Sequence, residues 1–194
     1  MYLSQYQDNE IFKNINIQNE KIVDIEFVDC TFENCNIENC VVEDCKFTDC
    51  AFLNCKIANL SSEHNSMMDS SFKKCSLIGV NWNTFFGGGY IMPINELSEC
   101  QLKYNNFVEM NFDKFDFSQN FITSSMFADC SLVESNFVDC KLDNTEFFRC
   151  DLSKSNFKGA LGYLIDISTN KLKGAKFSFP EVVNLLNGIG IVID

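Results

Sequence analysis

The stretch FVDCTFENCNIENCVVEDCKFTDCAFLNC, residues 27–55, decides the fold because its chemistry recurs every five residues. A cysteine occupies every fifth position from Cys30 to Cys55, and Asn or Asp stands immediately before each one. A large apolar residue precedes each cysteine by three positions. A fixed period of this kind indicates a repeat architecture, in which each repeat is one small structural unit.

The apolar positions form one series that extends over most of the chain. The series takes every fifth residue from Phe12 to Phe177, and 31 of its 34 members are large and apolar. Ser62, Gly87 and Gly162 are the three exceptions. The period therefore predicts a single repeat region whose phase is unbroken.

A period of five suits neither a regular α-helix nor a flat strand. On a helix, five steps of about 100° rotate successive apolar residues by about 140°, so that no apolar stripe forms. On a flat strand, an odd spacing alternates faces and exposes every second apolar residue to water. The pattern succeeds when the chain turns a corner once per repeat, and Asn and Asp favour such turns. The sequence therefore predicts a β-solenoid with its apolar residues on a common axis.

The repeat resembles that of the pentapeptide repeat proteins, whose consensus has a small residue, then Asp or Asn, then a central Leu or Phe. The stretches that match it well include SNFVDC (135–140), CDLSKSNFKGA (150–160) and GAKFS (174–178). The resemblance covers about residues 10–179. It implies an all-β fold, a right-handed quadrilateral β-helix with four repeats in each coil.

All 11 cysteines fall on multiples of five. Their odd number disfavours complete disulfide pairing, and parallel stacked side chains hold Cβ atoms about 4.8 Å apart, beyond the favoured ~3.8 Å. Zinc sites favour clustered cysteines on loops, and the single histidine, His64, adds little. We interpret cysteine as a small buried apolar residue, and we expect no metal and no cofactor.

Breaks in the pattern divide the chain into segments. We expect an N-terminal cap at residues 1–11, solenoid coils at 12–83 and 100–178, and a loop or distorted coil at 84–99, where three glycines interrupt the pattern. Such a loop either carries function or is a tolerated insertion. Its candidate functional residues are Phe85, Phe86, Tyr90 and Met92.

The C-terminal segment, residues 179–194, is predicted to form a short helix and a strand. Ser178 and Glu181 have the spacing of a capping box, and Gly188 closes the helix. A solenoid needs a cap over its open end, but this segment is more apolar than a cap requires. The excess predicts a homodimer contact, with candidate residues Val182, Val183, Leu185, Leu186, Ile189 and Ile191.

Two further stretches resemble one branch of the family, which contains the quinolone-resistance proteins and the albicidin- and microcin-immunity proteins. They are CSLIGVNW (75–82) and the C-terminal run YLIDISTN to GAKFSFPEVVNLLN (163–187). Members of this branch dimerise through the C-terminal helix into a rod that resembles duplex DNA. They bind DNA gyrase or topoisomerase IV and relieve, or at high levels cause, inhibition. The resemblance therefore implies the same partners for this chain.

Stacking the repeats four to a coil places acidic residues in vertical rows, which are the candidate partner-binding face. Neighbouring carboxylates about 5 Å apart repel by roughly 0.8 kcal/mol even in bulk water. The rows suit either a mimic of DNA or a solubilising surface, since Asp is also a good turn residue. The candidate residues are Asp24, Asp44, Asp29, Asp49, Asp69, Glu33, Glu38 and Glu43.

Composition narrows the function classes. The chain has 27 acidic and 15 basic residues, a formal net charge of -12, which disfavours direct nucleic-acid binding. No apolar run approaches a membrane span and no secretory signal is evident, so we expect a cytoplasmic protein with reduced thiols. Stacked phenylalanines are expected to fill the interior and leave no substrate cavity, and no catalytic constellation is present, so we expect no enzyme. The alternative to topoisomerase binding is a rigid interaction module with an unrelated partner.

Overall fold

The computed structural model describes residues 5–85 and 92–189, the last three for their backbone only. The chain divides into two compact units, Met1–Gln101 (unit 1) and Leu102–Asp194 (unit 2). Each unit is a β-helix of short parallel strands, as the five-residue period predicts.

Unit 1 has four walls, each a parallel sheet. Wall A contains β1 (Tyr6–Asp8), β5 (Glu26–Val28), β9 (Lys46–Thr48) and β13 (Ser66–Met68), and wall B contains β2 (Ile11–Lys13), β6 (Thr31–Glu33), β10 (Ala51–Leu53), β14 (Ser70–Lys73) and β16 (Ile94–Ser98). Wall C contains β3 (Asn16–Gln18), β7 (Asn36–Glu38), β11 (Lys56–Ala58) and β15 (Ser76–Ile78), and wall D contains β4 (Lys21–Val23), β8 (Val41–Glu43) and β12 (Ser61–Glu63). A short 3₁₀ helix, Trp82–Phe85, follows β15.

Unit 2 has fewer regular strands. They are β17 (Gln101–Lys103, starting one residue before the unit), β18 (Asn106–Val108), β19 (Phe121–Thr123), β20 (Met126–Ala128), β21 (Lys141–Phe148), β22 (Asn156–Phe157), β23 (Leu161–Ile165) and β24 (Lys176–Phe177). The long β21 pairs with both β19 and β20 and therefore belongs to two walls. The other two walls consist largely of single bridges between tight turns, such as Asn111 with Ser131. A C-terminal 3₁₀ helix, Glu181–Ile189, ends the described chain.

The pairing register confirms a coil of four repeats. In wall B, Phe12 pairs with Phe32, Phe32 with Phe52, and Phe52 with Phe72. Each step is 20 residues, so equivalent positions of successive coils stack and phenylalanine packs on phenylalanine. The rings of this series lie parallel, with centroids 5.0, 4.8 and 4.7 Å apart. Offset stacking of this kind adds to the burial of apolar area.

The corners have left-handed backbone at nearly every repeat, with Thr84, Leu164 and Thr169 among the exceptions. Every described non-glycine residue with positive φ lies directly before a multiple of five, from Asn9 to Lys154, and φ is between 49° and 62°. Asn and Asp tolerate this conformation best, which confirms the predicted corner role. Lys114 and Glu134 adopt it as well, so the coil imposes the geometry on residues that do not favour it.

The eleven cysteines are free and buried. Their thiols do more than fill space, because each donates a weak hydrogen bond to a backbone carbonyl of the wall. The Cys55 Sγ lies 3.2 Å from the carbonyl oxygen of Phe32, and Cys75 Sγ lies 3.2 Å from that of Phe52. Thr145 Oγ1 donates to the Ile122 carbonyl at 2.6 Å from the same repeat position. The position therefore favours a small side chain with a donor, although Met110 and Ala160 are buried at the same position.

The predicted unbroken phase is wrong at one place in unit 2. The pairing shifts between Lys141–Leu161 and Thr145–Tyr163, so the coil is shortened by two residues there. Tyr163 and Ile165 point inward, whereas the predicted core residue Ile167 is half-buried. Gly162 cannot fill the core, and the neighbouring tyrosine takes over that role.

The expected solid interior is also wrong for unit 1. A cavity of ≈ 780 Å³ runs through its interior and is lined by the inward side chains of all four walls. Ile37 is half-buried although strands lie on both sides of it, so its accessible surface faces the cavity. Its counterpart in unit 2, Ile122, is fully buried. The same repeat thus produces two differently filled interiors.

We predict that Gly162→Ala destabilises the protein far more than Gly174→Ala. Both glycines have positive φ, +75° and +77°, so any L-residue costs about 1–2 kcal/mol. At position 162 a Cβ atom would also lie 2.8 Å from the Cα atom of Asp143, whereas at 174 its nearest contact is Lys154 Cγ at 3.5 Å. We expect the free energy of unfolding to fall by about 3 kcal/mol or more for Gly162→Ala. Urea unfolding followed by circular dichroism measures both, and equal losses would contradict the prediction.

Candidate functional site

The candidate site is the outer surface of wall A together with the two corner rows that border it, which we call the acidic face. One row contains Asp24, Asp44 and His64, and the other Asn9, Asp29, Asp49 and Asp69. The strands between them contribute Asp8 and Glu26. Lys46 is its one lysine within the described chain. Seven carboxylates therefore share one wall.

The negative charge of the chain is concentrated in unit 1. Residues 1–101 contain 15 acidic and 6 basic residues, a formal charge of -9, whereas residues 102–194 contain 12 and 9, a formal charge of -3. The described residues of unit 2 form three salt bridges, including those between Arg149 and Asp129 at 2.6 Å and between Lys154 and Glu134 at 3.0 Å. The acidic face is therefore a feature of unit 1 rather than of the repeat in general.

The structure places three of the eight predicted acidic residues elsewhere. Glu33, Glu38 and Glu43 lie on walls B, C and D, because five residues carry the chain to the next wall. Each is neutralised by a lysine of a neighbouring coil, with N–O distances of 2.7, 2.6 and 2.6 Å to Lys13, Lys56 and Lys21. The Lys56 ammonium holds the pKa of the Glu38 carboxyl below its usual range. These glutamates do not belong to the acidic face.

The five predicted aspartates border one wall. Gln5 Nε2 donates to Asp24 Oδ2 at 2.5 Å, and Asp44 Oδ1 lies 3.9 Å from His64 Nδ1. Asp29, Asp49 and Asp69 are exposed and have no salt bridge within the described part of the chain. This row of three is the most strongly charged part of the acidic face.

Corner rows of asparagine behave differently from rows of aspartate. Asn54 Nδ2 donates to Asn34 Oδ1 at 2.6 Å, and Asn59 Nδ2 donates to Asn39 Oδ1 at 3.2 Å. Ionised aspartates are acceptors only, so a stacked aspartate row cannot form this bond and its members repel. Either residue makes the corner, but aspartate makes it at an electrostatic cost.

The pKa of Tyr6 is sensitive to the negative charges of the acidic face. Its side chain is exposed on wall A, and its pKa is raised above the ordinary value, chiefly by the charge of Asp8, with Glu26 and Asp29 contributing. Negative charges disfavour the phenolate because it is itself negative. Sequence reasoning missed Asp8 and Glu26, which lie on strands rather than at corners. Their positions, 20 residues from Val28 and Lys46, place them on wall A once the coil length is known.

The predicted loop residues separate into two groups. Phe85 is buried, and its ring lies 6.4 Å from that of Phe47, so it is a core residue of unit 1 rather than a loop residue. Met92 is half-buried, and its carbonyl accepts a hydrogen bond from the Asp69 amide at 3.1 Å. Phe86 and Tyr90 lie outside the described residues. Strand pairing resumes at Ile94, with an irregularity before Glu96, inside the segment 84–99 that the sequence predicts to be a loop or distorted coil.

The C-terminal 3₁₀ helix is held against the preceding coil. Ser178 Oγ accepts from the Gly159 amide at 2.9 Å, and Glu181 Oε2 accepts from the Gly162 amide at 3.4 Å. Leu185 is buried within the chain itself, which removes it from the predicted dimer contact. Val182, Val183 and Leu186 are half-buried. The side chain of Ile189 and all of Ile191, with most of the predicted strand, lie outside the described residues.

Two observations bear on other kinds of site. Within residues 5–85 and 92–189, no group of three or more His, Cys, Asp and Glu residues is arranged to hold a metal ion. The same ranges contain no helix that is both long and apolar enough to span a membrane.

We predict that Asp8→Asn lowers the pKa of Tyr6 toward the ordinary value of about 10. The control is Glu33→Gln, which removes the same charge from wall B and should leave Tyr6 unchanged. NMR titration of the tyrosine rings, with Tyr6→Phe for assignment, measures the shift. Tyr163 does not interfere, because burial raises its pKa to about 12. Equal shifts in the two variants would show that the acidic face exerts no local field.

Comparison with known proteins agrees with the geometry. Residues 127–161 match the family model described as Pentapeptide repeats (8 copies). No curated protein matches the sequence significantly. A trypsin-treated variant of QnrB1, a plasmid-mediated fluoroquinolone resistance protein, is 16% identical, with a TM-score of 0.61 over 95% of this chain and 100% of that one. Full-length QnrB1 is also 16% identical, with a TM-score of 0.52 over 96% and 100%.

The cyanobacterial protein HetL, from Nostoc sp. strain PCC 7120, is more distant. It is 11% identical over 87% of this chain and 85% of that one, with a TM-score of 0.40. At 16% identity, the likeness to QnrB1 concerns the fold. The matching repeats show that residues 127–161 carry the pentapeptide repeat, and the solved structures show that the fold is a β-helix of the same kind.

Proposed function

We propose that this chain is a non-enzymatic protein of the quinolone-resistance type. Its acidic face binds a type II topoisomerase, DNA gyrase or topoisomerase IV, and modulates the enzyme or protects it from inhibitors. The observation that carries the proposal is the row of Asp29, Asp49 and Asp69, three exposed carboxylates on one wall that form no salt bridge with any other described residue. The fold that the chain shares with QnrB1 supports it.

The acidic face resembles the DNA backbone because it presents a line of negative charges to a topoisomerase. Stacked strands repeat about every 4.8 Å, and phosphates along one DNA strand repeat about every 3.4 Å. A row of corner aspartates is therefore a sparser line of negative charge, held on a rigid wall. A protein groove that binds DNA carries Lys and Arg, and it attracts such a line through the same long-range field.

The acidic face is poorly suited to catalysis. Its carboxylates lie on an open wall, where water screens them, and general acid–base groups work in clefts that shift their pKa values. The cavity of unit 1 is lined mainly by aliphatic and aromatic side chains. These features favour binding over chemistry, and the reduced thiols favour a cytoplasmic location.

A homodimer through the C-terminal helix is part of the proposal. Val182, Val183 and Leu186 are half-buried on a helix that the chain already docks through Ser178 and Glu181. A second copy would cover their remaining apolar surface, and two acidic faces would double the charge presented to a partner.

The alternative function is an interaction module with an unrelated partner. Unit 2 exposes Phe121 and Phe148, each 44% accessible, on its outer walls. Lys141 and Arg149 lie over these rings at 5.1 and 5.0 Å. Exposed aromatic residues flanked by cations suit a partner quite different from a DNA-binding groove.

We predict that the triple variant Asp29→Asn, Asp49→Asn and Asp69→Asn loses topoisomerase binding while it keeps its fold, because asparagine occupies equivalent corners. The matched control replaces Glu33, Glu38 and Glu43 with Gln, which removes the same charge from other walls. We expect binding to weaken about tenfold or more only in the first variant. Supercoiling by purified gyrase, with and without a fluoroquinolone, measures the effect. Wild-type protein that changes neither supercoiling nor drug sensitivity at micromolar concentration would refute the proposal and favour the unrelated partner.

We predict that Leu186→Asp yields a monomer. A charge placed on a half-buried leucine would be desolvated in a dimer interface, whereas in the monomer it can reach water. Sedimentation velocity measures the mass, and circular dichroism checks that the β-helix persists. Leu186→Met, which keeps an apolar side chain of similar volume at the same position, is the control. An unchanged mass would show that the segment serves only as a cap.

A further inference from the structure

We propose that the cavity of unit 1 is a binding channel for one long aliphatic chain, which lies along the axis of the β-helix with its polar head at the N-terminal end. The proposal is independent of topoisomerase binding. It rests on the size and shape of the cavity, on the distribution of polar groups along it, and on the difference between the interiors of the two units.

The cavity has the volume of a ligand site. Its ≈ 780 Å³ lies within the range of about 300–1,000 Å³ that is usual for small-molecule pockets. Three ring-to-ring steps of 5.0, 4.8 and 4.7 Å separate Phe12 from Phe72, so the lined length is about 15 Å. The ratio of volume to length gives a mean cross-section of about 50 Å², which describes an elongated channel.

The polar groups of the channel are gathered at one end. Gln5, Asn16, Gln18, Glu20 and Lys21 are exposed residues of the first coil that surround this end, where Lys21 pairs with Glu43 on the outer side of wall D. Beyond them the lining is apolar apart from the Cys35 thiol. The far end is lined by two buried aromatic side chains, Trp82 and Phe85. An apolar tube with a polar mouth matches a molecule that has a long apolar tail and a polar head.

The walls explain why only unit 1 has this space. Wall D points Ile22, Val42 and Ser62 inward, and Val and Ser are shorter than the Leu residues that fill two walls of unit 2. In unit 2, Leu132 and Leu142 are fully buried, as are Phe127 and Phe137 on the two walls between them. In unit 1, Ile22 and Phe47 remain half-buried at core positions. Water in such a channel finds few polar partners, so an aliphatic chain that displaces it is favoured.

The experiment measures the binding of cis-parinaric acid, a fluorescent fatty acid, and its displacement by octanoate, laurate and palmitate. We expect saturable binding of one molecule per chain, with displacement that strengthens as the competitor lengthens. Val42→Phe fills the channel and should weaken binding by at least about tenfold, since one methylene in an apolar pocket already changes affinity by such a factor. Val28→Phe is the matched control, because it adds the same ring to the outside of wall A and should leave binding unchanged.

Two results would overturn the proposal. One is the absence of saturable binding to the wild-type chain, whatever its cause. The other is binding by Val42→Phe that equals the wild type, which would place the probe on the outer surface. Ile37→Phe, at a second position on the channel, repeats the test in case Val42→Phe unfolds, and circular dichroism verifies the fold of every variant.

Discussion

A left-handed residue at nearly every fifth position is the constraint on which the rest of the structure depends. It turns the chain from one wall to the next, and its amide joins the ladder to the following coil, as Asn34 does to the Leu53 carbonyl at 2.9 Å. Because the turn recurs after five residues and the coil closes after four turns, identical positions stack. Stacking then determines what each position tolerates: phenylalanine over phenylalanine inside, a small donor beside the wall, and like over like at the corners.

Stacking like over like turns the choice between asparagine and aspartate into an energetic one. An asparagine row gains side-chain hydrogen bonds between coils, whereas an aspartate row places ionised carboxylates one above another. The corner geometry does not require aspartate, since Lys114 and Glu134 also adopt it. Asp29, Asp49 and Asp69 therefore carry charge at a position where a neutral residue would be more stable. Such a cost is typical of surfaces that serve binding rather than folding.

Much of this architecture could be predicted from the sequence, because the period encodes the walls, the corners and the aspartate rows. What could not be predicted depends on distances across coils. Glu33, Glu38 and Glu43 are close to the aspartates in sequence, but each lies on a different wall and meets a lysine 18 to 22 residues away. The shortened coil at Gly162 and the inward position of Phe85 depend on local packing, which a single absent side chain can change.

The two interiors show how loosely the period specifies packing. The repeat requires a large apolar residue in each slot, but it does not distinguish a side chain that reaches the axis from one that stops short of it. Where phenylalanine and leucine share the four walls, as at the core positions from Leu102 to Phe157, the core is filled and its residues are buried. Where the β-branched residues Ile22 and Val42 line one wall, the same backbone leaves a cavity of ≈ 780 Å³. An empty apolar space of this size is costly, because its lining lacks contacts on one side. Selection for stability alone would favour leucine at position 42. The valine there is therefore consistent with a cavity that binds a ligand.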